Sequence, residues 1–277
     1  MTDTVWSGGI AVQRRVLATL VATLALTLGG GDPQADRFDV VVLDAGHGGE
    51  DFGARGVSGR YEKDLVLDVA RRLSRRLAAR RMRVVMTREV DEFVPLERRT
   101  SLANDADADL FVSIHANAAR SSEPRGIETF FASLNASDAA AGELAERENR
   151  AFASAGASVP AASDPLLAIL GDLIATEHLA GSNEFALLAQ KRMARLDHMP
   201  SRGVKQAPFV VLLGVQMPAA LVEVGFLTNP RDETTLGSTE SRDRLAAALA
   251  EAVLEFGRRY DARRGIEPGR SLVREDP

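Results

Sequence analysis

The sequence has no cysteine in 277 residues. A disulfide framework is therefore excluded, and so is a metal site that depends on thiolate ligands. Histidine is also scarce, with four residues, so a metal centre in this chain must combine a few imidazoles with carboxylates. The formal net charge of -5 lacks the basic excess with which nucleic-acid binders neutralise phosphates, and we expect no nucleic-acid partner.

The amino-terminal segment has the layout of an export signal. Arg14 and Arg15 precede an apolar run over residues 16–28, and three glycines follow at 29–31. This order of charged, apolar and small residues predicts a secretory signal peptide within residues 1–35 and a periplasmic protein. An uncleaved membrane anchor is the alternative, although the apolar run is short for a bilayer span.

Strand-like and helix-like segments alternate after about residue 36. Between the first two strand-like runs, Leu65, Val69, Leu73 and Leu77 recur every four residues, which predicts an amphipathic helix. This alternation is typical of an α/β layer fold, and the length allows one large core. The predicted strands are six short apolar or β-branched runs, at 38–43, 83–87, 109–114, 126–131, 208–213 and 219–224.

Two of the four histidines close apolar runs. His47 comes just after the run 41–45, and His115 directly follows the run 110–114. A residue past a buried strand lies at the strand's carboxyl end, where α/β sheets place ligands, so the two imidazoles predict one metal site. Glu62, at the start of the predicted helix, offers a third ligand, and two histidines with one carboxylate form a catalytic zinc set. Two hydrogen-bonded core histidines are the alternative.

Five short motifs stand in order along the chain. They are DAGHGG at 44–49, YEKD at 61–64, SIHANA at 113–118, GVKQA at 203–207 and MPAALVEVGFLTN at 217–229. In this order they resemble the motifs of the zinc-dependent N-acetylmuramoyl-L-alanine amidases, which cut bacterial peptidoglycan. The resemblance runs from about residue 38 to about residue 256. One small departure is Ala45, where many members carry proline.

The resemblance implies a site, a substrate and a fold. His47, Glu62 and His115 are implied as the ligands of one zinc ion, and Glu223 as the catalytic carboxylate. The implied substrate is the amide between the lactyl group of N-acetylmuramic acid and the L-alanine of the stem peptide. The resemblance and the alternation of strand-like and helix-like segments together predict an α/β fold over residues 36–262. We expect a single three-layer domain with a mixed, mostly parallel β-sheet, helices on both faces and a helical insertion.

The residues around Glu223 support that role independently. Glu223 ends the apolar segment AALV at 219–222. An ionised carboxylate in such a run is costly unless it meets a cation or faces a cleft, so its position indicates a functional role. Beside a metal, it can take the proton of an attacking water and pass it to a leaving amine. A structural ion pair is the alternative.

Two further residues match recurrent positions of the family. Arg99 lies in the predicted helix that leads into the second histidine strand. We expect it to form an ion pair that ties helix to sheet, with a substrate-side role as the alternative. Glu128 is a candidate for a partner near the metal that orients a histidine, although a strand glutamate also points to solvent in many sheets.

The region 133–199 is longer than in minimal family members and resembles the insertion of the Gram-negative cell-division amidases. Two helical pieces are predicted in it. The first covers 137–150, with Ser137 or Asp138 as its amino-terminal cap, and the second starts at residue 163 and carries apolar residues to 174. A flexible linker of small residues joins the two pieces.

In the cell-division amidases this insertion blocks the zinc cleft. It is drawn away by an activator protein with a degenerate, LytM-type metallopeptidase domain. The resemblance therefore implies autoinhibition, with Glu146 and Glu148 as the candidates that reach the metal. A plain packing role is the alternative, because apolar residues at helical spacing are also typical of an ordinary core.

Three classes of function stay open. The first is the zinc amidase, acting in cell-wall remodelling or daughter-cell separation. The second is a zinc peptidase that acts on stem peptides, and the third is a non-catalytic murein-binding or activator protein. The third is expected to have lost at least one site residue, and all four are present. We expect peptidoglycan as substrate, a monomer, and a disordered tail over 263–277.

Overall fold

The computed structural model describes residues 37–153, 176–197 and 199–266. The described residues from Phe38 onward belong to one compact unit. Within these ranges, no helix combines the length and the apolar character that crossing a membrane requires. The predicted signal peptide, the second helical piece of the predicted insertion and most of the predicted tail lie outside the described residues.

Six strands form one sheet in the described part of the chain. They are β1 (Val40–Ala45), β2 (Arg83–Met86), β3 (Leu110–Asn117), β4 (Ile127–Ala132), β5 (Ser201–Ala207) and β6 (Ala219–Phe226). Their order is β2-β1-β3-β6-β4-β5. All neighbours are parallel except β4 and β6, which are antiparallel. The predicted mixed, mostly parallel sheet is therefore confirmed.

Helices cover both faces of this sheet. They are α1 (Glu62–Ala78), α2 (Leu96–Asp105), α3 (Ala139–Ala153), α4 (Thr176–Met193), α5 (Val210–Leu213), α6 (Pro230–Gly237) and α7 (Thr239–Arg263). Helices α1, α4 and α7 share one hydrophobic core with the sheet. Helices α2, α3 and α5 share a second core on the other face. Strands β1 and β3 are buried along their whole length. Because a strand buried on both faces needs apolar residues on both, their sequences contain long apolar runs.

The first helix follows its pattern closely. The four apolar residues spaced four apart in α1 are all buried in the first core. On its outer side, Arg72 pairs with Asp68 at 2.9 Å and with Asp243 of α7 at 3.6 Å. The predicted amphipathic helix is confirmed, and its basic side makes ion pairs at the surface.

The strand predicted at 208–213 is wrong. Phe209 precedes the short helix α5, and the apolar residues of this run are buried in the second core. The strand at this point of the chain is β5, which comes directly before and carries Arg202, Lys205 and Gln206. Because β5 is an edge strand, its residues are mostly half-buried or exposed, and it needs no apolar run.

Helix α4 belongs to the packing of the sheet. Strands β4 and β5 run parallel, so the chain between them must cross over, and α4 lies in this crossover. Phe185, Ala189 and Met193 are fully buried in the first core. Helix α4, the described later part of the region 133–199, thus belongs to a helical layer of the fold. The two glutamates that the resemblance implies as blocking candidates both lie on α3.

Candidate metal centre

The carboxyl ends of β1 and β3 bring two histidines together. The strands are parallel neighbours with Ala45 opposite Ile114, so the residues that come next meet at one edge of the sheet. A glycine is required where they approach, because a Cβ on Gly46 would lie 2.4 Å from the ring of His115. His47 then turns the chain with a φ of 59°.

Both histidines face the carboxylate of Glu62, the first residue of α1. Glu62 Oε1 lies 3.1 Å from His47 Nε2 and 3.1 Å from His115 Nδ1. The same oxygen accepts a hydrogen bond from the Ala116 amide at 2.9 Å, and Oε2 accepts one from the Ala54 amide at 2.8 Å. All three side chains are buried. The structure therefore brings together the three residues that the sequence predicts as metal ligands.

The neighbouring charges affect the pKa values of this group more than burial does. Burial by itself lowers the pKa of His47 and His115, but the carboxylates around them outweigh it. They raise the pKa of His47 well above its usual value and that of His115 to about 10. Burial raises the pKa of Glu62, but the adjacent histidines lower it to about 2. Glu62 is therefore ionised, the form in which a carboxylate binds a metal.

A residue that the sequence analysis missed holds His47 in place. Asp51 Oδ2 lies 2.8 Å from His47 Nδ1, so that Nε2 is the nitrogen that faces Glu62. A carboxylate on the far ring nitrogen is a usual partner of a metal-binding histidine, because it fixes the ring and its tautomer. The signal in the sequence is an acidic residue four positions after His47, within the glycine-rich loop.

The donor set fits a zinc ion. Two ligands of a tetrahedral zinc, each about 2.0–2.1 Å from the metal, lie about 3.3 Å from one another. The nitrogen–oxygen distances of 3.1 Å in this group are close to that value. His47 Nε2 is buried without a hydrogen-bond partner among the described residues, which a metal ion would satisfy. His47, Glu62 and His115 can therefore hold a metal ion.

Helix α3 places a fourth group against the histidines. Glu148 Oε2 lies 3.3 Å from His47 Nε2 and 3.3 Å from His115 Nδ1, and its side chain is 6% exposed. Burial raises the pKa of Glu148, but the two histidines outweigh it and hold the pKa well below its usual value. Glu146 is 74% exposed and lies 3.7 Å from Arg150. Two residues turn an α-helix by about 200°, so the two glutamates face different ways.

Glu223 lies beside the same group. The parallel ladder pairs Glu223 of β6 with His115 of β3. Its side chain is fully buried, and neither carboxylate oxygen has a hydrogen-bond partner among the described residues. Burial, together with the negative charges of Glu62 and Glu148, raises its pKa well above the usual value despite the opposing charge of His115. Such a carboxyl group is suited to carry a proton during hydrolysis.

Glu128 of β4 lies opposite Glu223 in the antiparallel ladder. Its Oε1 accepts a hydrogen bond from Asn117 Nδ2 at 3.0 Å. Its Oε2 lies 3.2 Å from Arg202 Nε and 3.0 Å from Lys205 Nζ. Within the described residues, its carboxylate therefore contacts Asn117 and two cations of β5, and not a histidine ring.

Arg99 is buried between α2 and the carboxyl end of β1. Its Nη1 donates to Asp44 Oδ1 at 2.7 Å and to the Ala45 carbonyl at 2.7 Å, and its Nη2 donates to the His47 carbonyl at 2.8 Å. These contacts tie α2 to the start of the loop that carries the metal-centre residues. The geometry gives Arg99 a structural position beneath the site.

Replacing Arg99 by alanine is expected to destabilise the fold by about 3–5 kcal/mol, because it leaves the buried carboxylate of Asp44 without its cation. Urea unfolding followed by circular dichroism measures the change. The matched control is Arg98→Ala, since Arg98 lies on the same helix, is 58% exposed and is 4.0 Å from Asp105. Equal stability of the two variants would contradict the structural position of Arg99.

Comparisons with known proteins show the family to which the chain belongs. Residues 41–255 match the family model Amidase_3, described as N-acetylmuramoyl-L-alanine amidase. The chain is 38% identical over 223 residues to the N-acetylmuramoyl-L-alanine amidase AmiA of Escherichia coli (strain K12), and the match covers 80% of this chain and 77% of that protein.

Solved structures of amidases have the same fold. The amidase AmiC2 of Nostoc punctiforme superimposes with a TM-score of 0.61 at 27% identity, over 79% of this chain and 96% of that one. The catalytic domain of CwlV from Bacillus (Paenibacillus) polymyxa var. colistinus gives 0.60 at 30% identity, over 79% and 97%. By its sequence match and its fold, the chain belongs to the Amidase_3 family and is an N-acetylmuramoyl-L-alanine amidase.

Proposed function

We propose that this amidase is a zinc hydrolase that helix α3 holds inactive at rest. It would cleave the amide between the lactyl group of N-acetylmuramic acid and the L-alanine of the stem peptide in peptidoglycan. The observation that carries the proposal is the position of Glu148. Its carboxylate lies 3.3 Å from both imidazole nitrogens that face the candidate metal centre.

His47, Glu62 and His115 are the residues that would hold one zinc ion. Two imidazoles and one carboxylate leave a coordination position open, which is typical of catalytic zinc and not of structural zinc. When bound, zinc supplies a Lewis acid that polarises a carbonyl and lowers the pKa of a water. The three ligands come from β3, α1 and the loop after β1, so the sheet edge holds them in place.

Glu223 is the residue that would move the proton. Its buried position beside His115 lets it accept a proton from the attacking water and deliver it to the nitrogen of L-alanine as the amide breaks. Burial and the negative charges of Glu62 and Glu148 raise its pKa, which favours keeping the accepted proton on the carboxyl group until it is delivered to the amine.

The contacts of α3 are of a kind that a partner can replace. Asn149 exchanges hydrogen bonds with the Pro208 carbonyl and the Val210 amide at 2.9 and 3.0 Å. Leu144 and Ala145 pack into the second core. A surface that offers α3 equivalent contacts would shift it away from the metal centre. The activator that we propose is a protein with a degenerate, LytM-type metallopeptidase domain.

An enzyme that is inactive until a partner binds suits daughter-cell separation, where the wall must be cut only at the division site. We place the protein in the periplasm, with its signal peptide within residues 1–35, and we propose that it acts as a monomer. The compartment and the signal peptide rest on the layout of the amino-terminal residues and on the peptidoglycan substrate.

Replacing Asp51 by alanine is expected to weaken zinc binding about 10- to 100-fold, because His47 loses the carboxylate that fixes its ring. Competition with a chelating dye measures the dissociation constant without any need for activity. The matched control is Glu50→Ala, an exposed neighbour in the same loop, which should keep the wild-type constant. Equal constants for all three proteins would remove Asp51 from the metal centre.

Mass analysis of products from purified peptidoglycan tests the proposed reaction. With the Glu148→Ala protein, we expect intact stem peptides that carry a free L-alanine amino group, together with glycan strands that lack peptides. Fragments cut within the stem would instead show a zinc peptidase. A failure to release any peptide, with zinc bound, would favour the non-catalytic murein-binding function.

A further inference from the structure

The residue next to Glu148 occupies a second position on the catalytic surface. Arg147 Nη1 donates to the Ala118 carbonyl at 2.8 Å, and Nη2 donates to Asn117 Oδ1 at 3.0 Å. Its Nε lies 3.2 Å from Glu148 Oε1. Two consecutive residues of α3 therefore cover the metal centre and a pair of hydrogen-bond acceptors directly beyond it.

These two acceptors are held in place without α3. Asn117 is the last residue of β3, and its Nδ2 donates to Glu128 Oε1 at 3.0 Å, which directs Oδ1 the other way. The Ala118 amide donates to this Oδ1 at 2.8 Å, and the Asn117 carbonyl accepts from the Leu227 amide at 2.8 Å. The strand end and the Asn117 side chain are therefore oriented by the sheet.

Glu128 is itself held by charge. Arg202 and Lys205, both on β5, lie 3.2 and 3.0 Å from its Oε2. The path from β5 through Glu128 to Asn117 fixes the amide on one side of the metal centre. A fixed acceptor loses little conformational entropy when it binds a ligand, so this arrangement favours recognition.

There is room for a ligand at these acceptors. A cavity of about 870 Å³ borders them, and Asn117, Ala118, Glu128, Arg202 and residues of α3 line it. Pockets for small ligands are about 300–1,000 Å³. The cavity therefore accommodates several residues of an extended peptide, and it widens if α3 withdraws.

We propose that Asn117 Oδ1 and the Ala118 carbonyl form the subsite that accepts backbone N–H donors of the stem peptide. Arg147 occupies this subsite while α3 is closed, so α3 blocks peptide binding as well as the metal centre. Glu128 is a positioning residue that acts through Asn117. The identity of the peptide rests on the proposed function, whereas the two acceptors and their orientation do not.

Peptide binding tests the subsite without relying on activity. The parent protein is the full chain with Arg147→Ala and Glu148→Ala, and the probe is a free stem tripeptide that begins with L-alanine. Calorimetry should show that Asn117→Ala weakens binding about threefold to tenfold. Glu128→Ala should do the same, and Glu128→Gln should restore binding because its amide oxygen still accepts from Asn117. Ser122→Ala, an exposed serine nearby that does not line the cavity, should match the parent.

Kinetics on a soluble muropeptide give the second readout. The Asn117→Ala change should raise KM by a similar factor and leave kcat within about twofold, because the hydrogen bonds form equally in the bound substrate and in the transition state. Parent-like binding by Asn117→Ala, or no measurable binding by the parent, would overturn the subsite. A joint loss of zinc and kcat in Asn117→Ala would also overturn it. If the parent binds the tripeptide but cleaves nothing, the proposed function fails and the subsite stands.

Discussion

Replacing Glu148 by alanine is expected to raise the basal release of stem peptides on the order of 10- to 100-fold without an activator. Its carboxylate faces both imidazole nitrogens. In the proposed resting state it would keep water and substrate from that position. The change removes this carboxylate and leaves the other contacts of α3, including those of Asn149. Initial rates of dye release from labelled peptidoglycan measure the effect.

Glu146 provides the matched control on the same helix. Its side chain is exposed and pairs with Arg150 at the surface, so Glu146→Ala should keep the low wild-type rate. If the Glu148→Ala protein is as slow as the wild type while it binds zinc, then α3 does not inhibit the enzyme through this glutamate. The helix would in that case have a packing role only.

Replacing Glu223 by glutamine in the Glu148→Ala protein is expected to lower kcat by a factor on the order of 10² to 10⁴. Glutamine keeps the volume of the buried side chain but cannot accept the proton of the attacking water. Glu223 is not one of the three residues grouped as metal ligands, so zinc content should stay at one ion per chain. Single-turnover cleavage of a soluble muropeptide and metal analysis give the two values.

The ligand variants separate the two roles at this site. His115→Ala in the same background should lose zinc and activity together, because His115 is one of three residues in the metal group. Near-parent kcat in Glu223→Gln would return Glu223 to a structural role. Loss of zinc from Glu223→Gln would instead make this glutamate part of the metal centre.

The central sheet and the histidine pair could be predicted from the sequence because both depend on local patterns. Strands β1 and β3 are buried on both faces and so require continuous apolar runs. The ends of such runs mark where the carboxyl edge of the sheet lies, and the two histidines stand there. Helix α1 could be predicted for a similar reason. One of its faces packs on the sheet, so apolar residues recur along the sequence at helical spacing.

Strand β5 could not be predicted from an apolar pattern. It lies at the edge of the sheet and carries charged residues, whereas the apolar run that follows it forms α5 in the second core. A short apolar run indicates burial but does not distinguish a strand from a helical turn. Tertiary packing determines that the run 208–213 contains the helical turn α5 and not a strand.

The choice between Glu146 and Glu148 depends on how α3 is rotated about its axis. Ala141, Leu144 and Ala145 are buried, and Glu148 falls on the same side at helical spacing. This spacing can be seen in the sequence, but it selects Glu148 over Glu146 only when the buried side of α3 is known. Asp51 and Asn117 act through loop and strand-end geometry, for which one sequence offers no periodic pattern.

Anomalous diffraction at the zinc edge, from crystals of the wild-type protein purified with zinc, would locate the metal relative to the three candidate ligands and Glu148. We expect one peak, within bonding distance of His47, Glu62 and His115, with the Glu148 carboxylate against it and Glu223 nearby without contact to the metal. A peak at other residues would rule out this metal centre, and a zinc site at these three residues that Glu148 does not approach would rule out inhibition by α3.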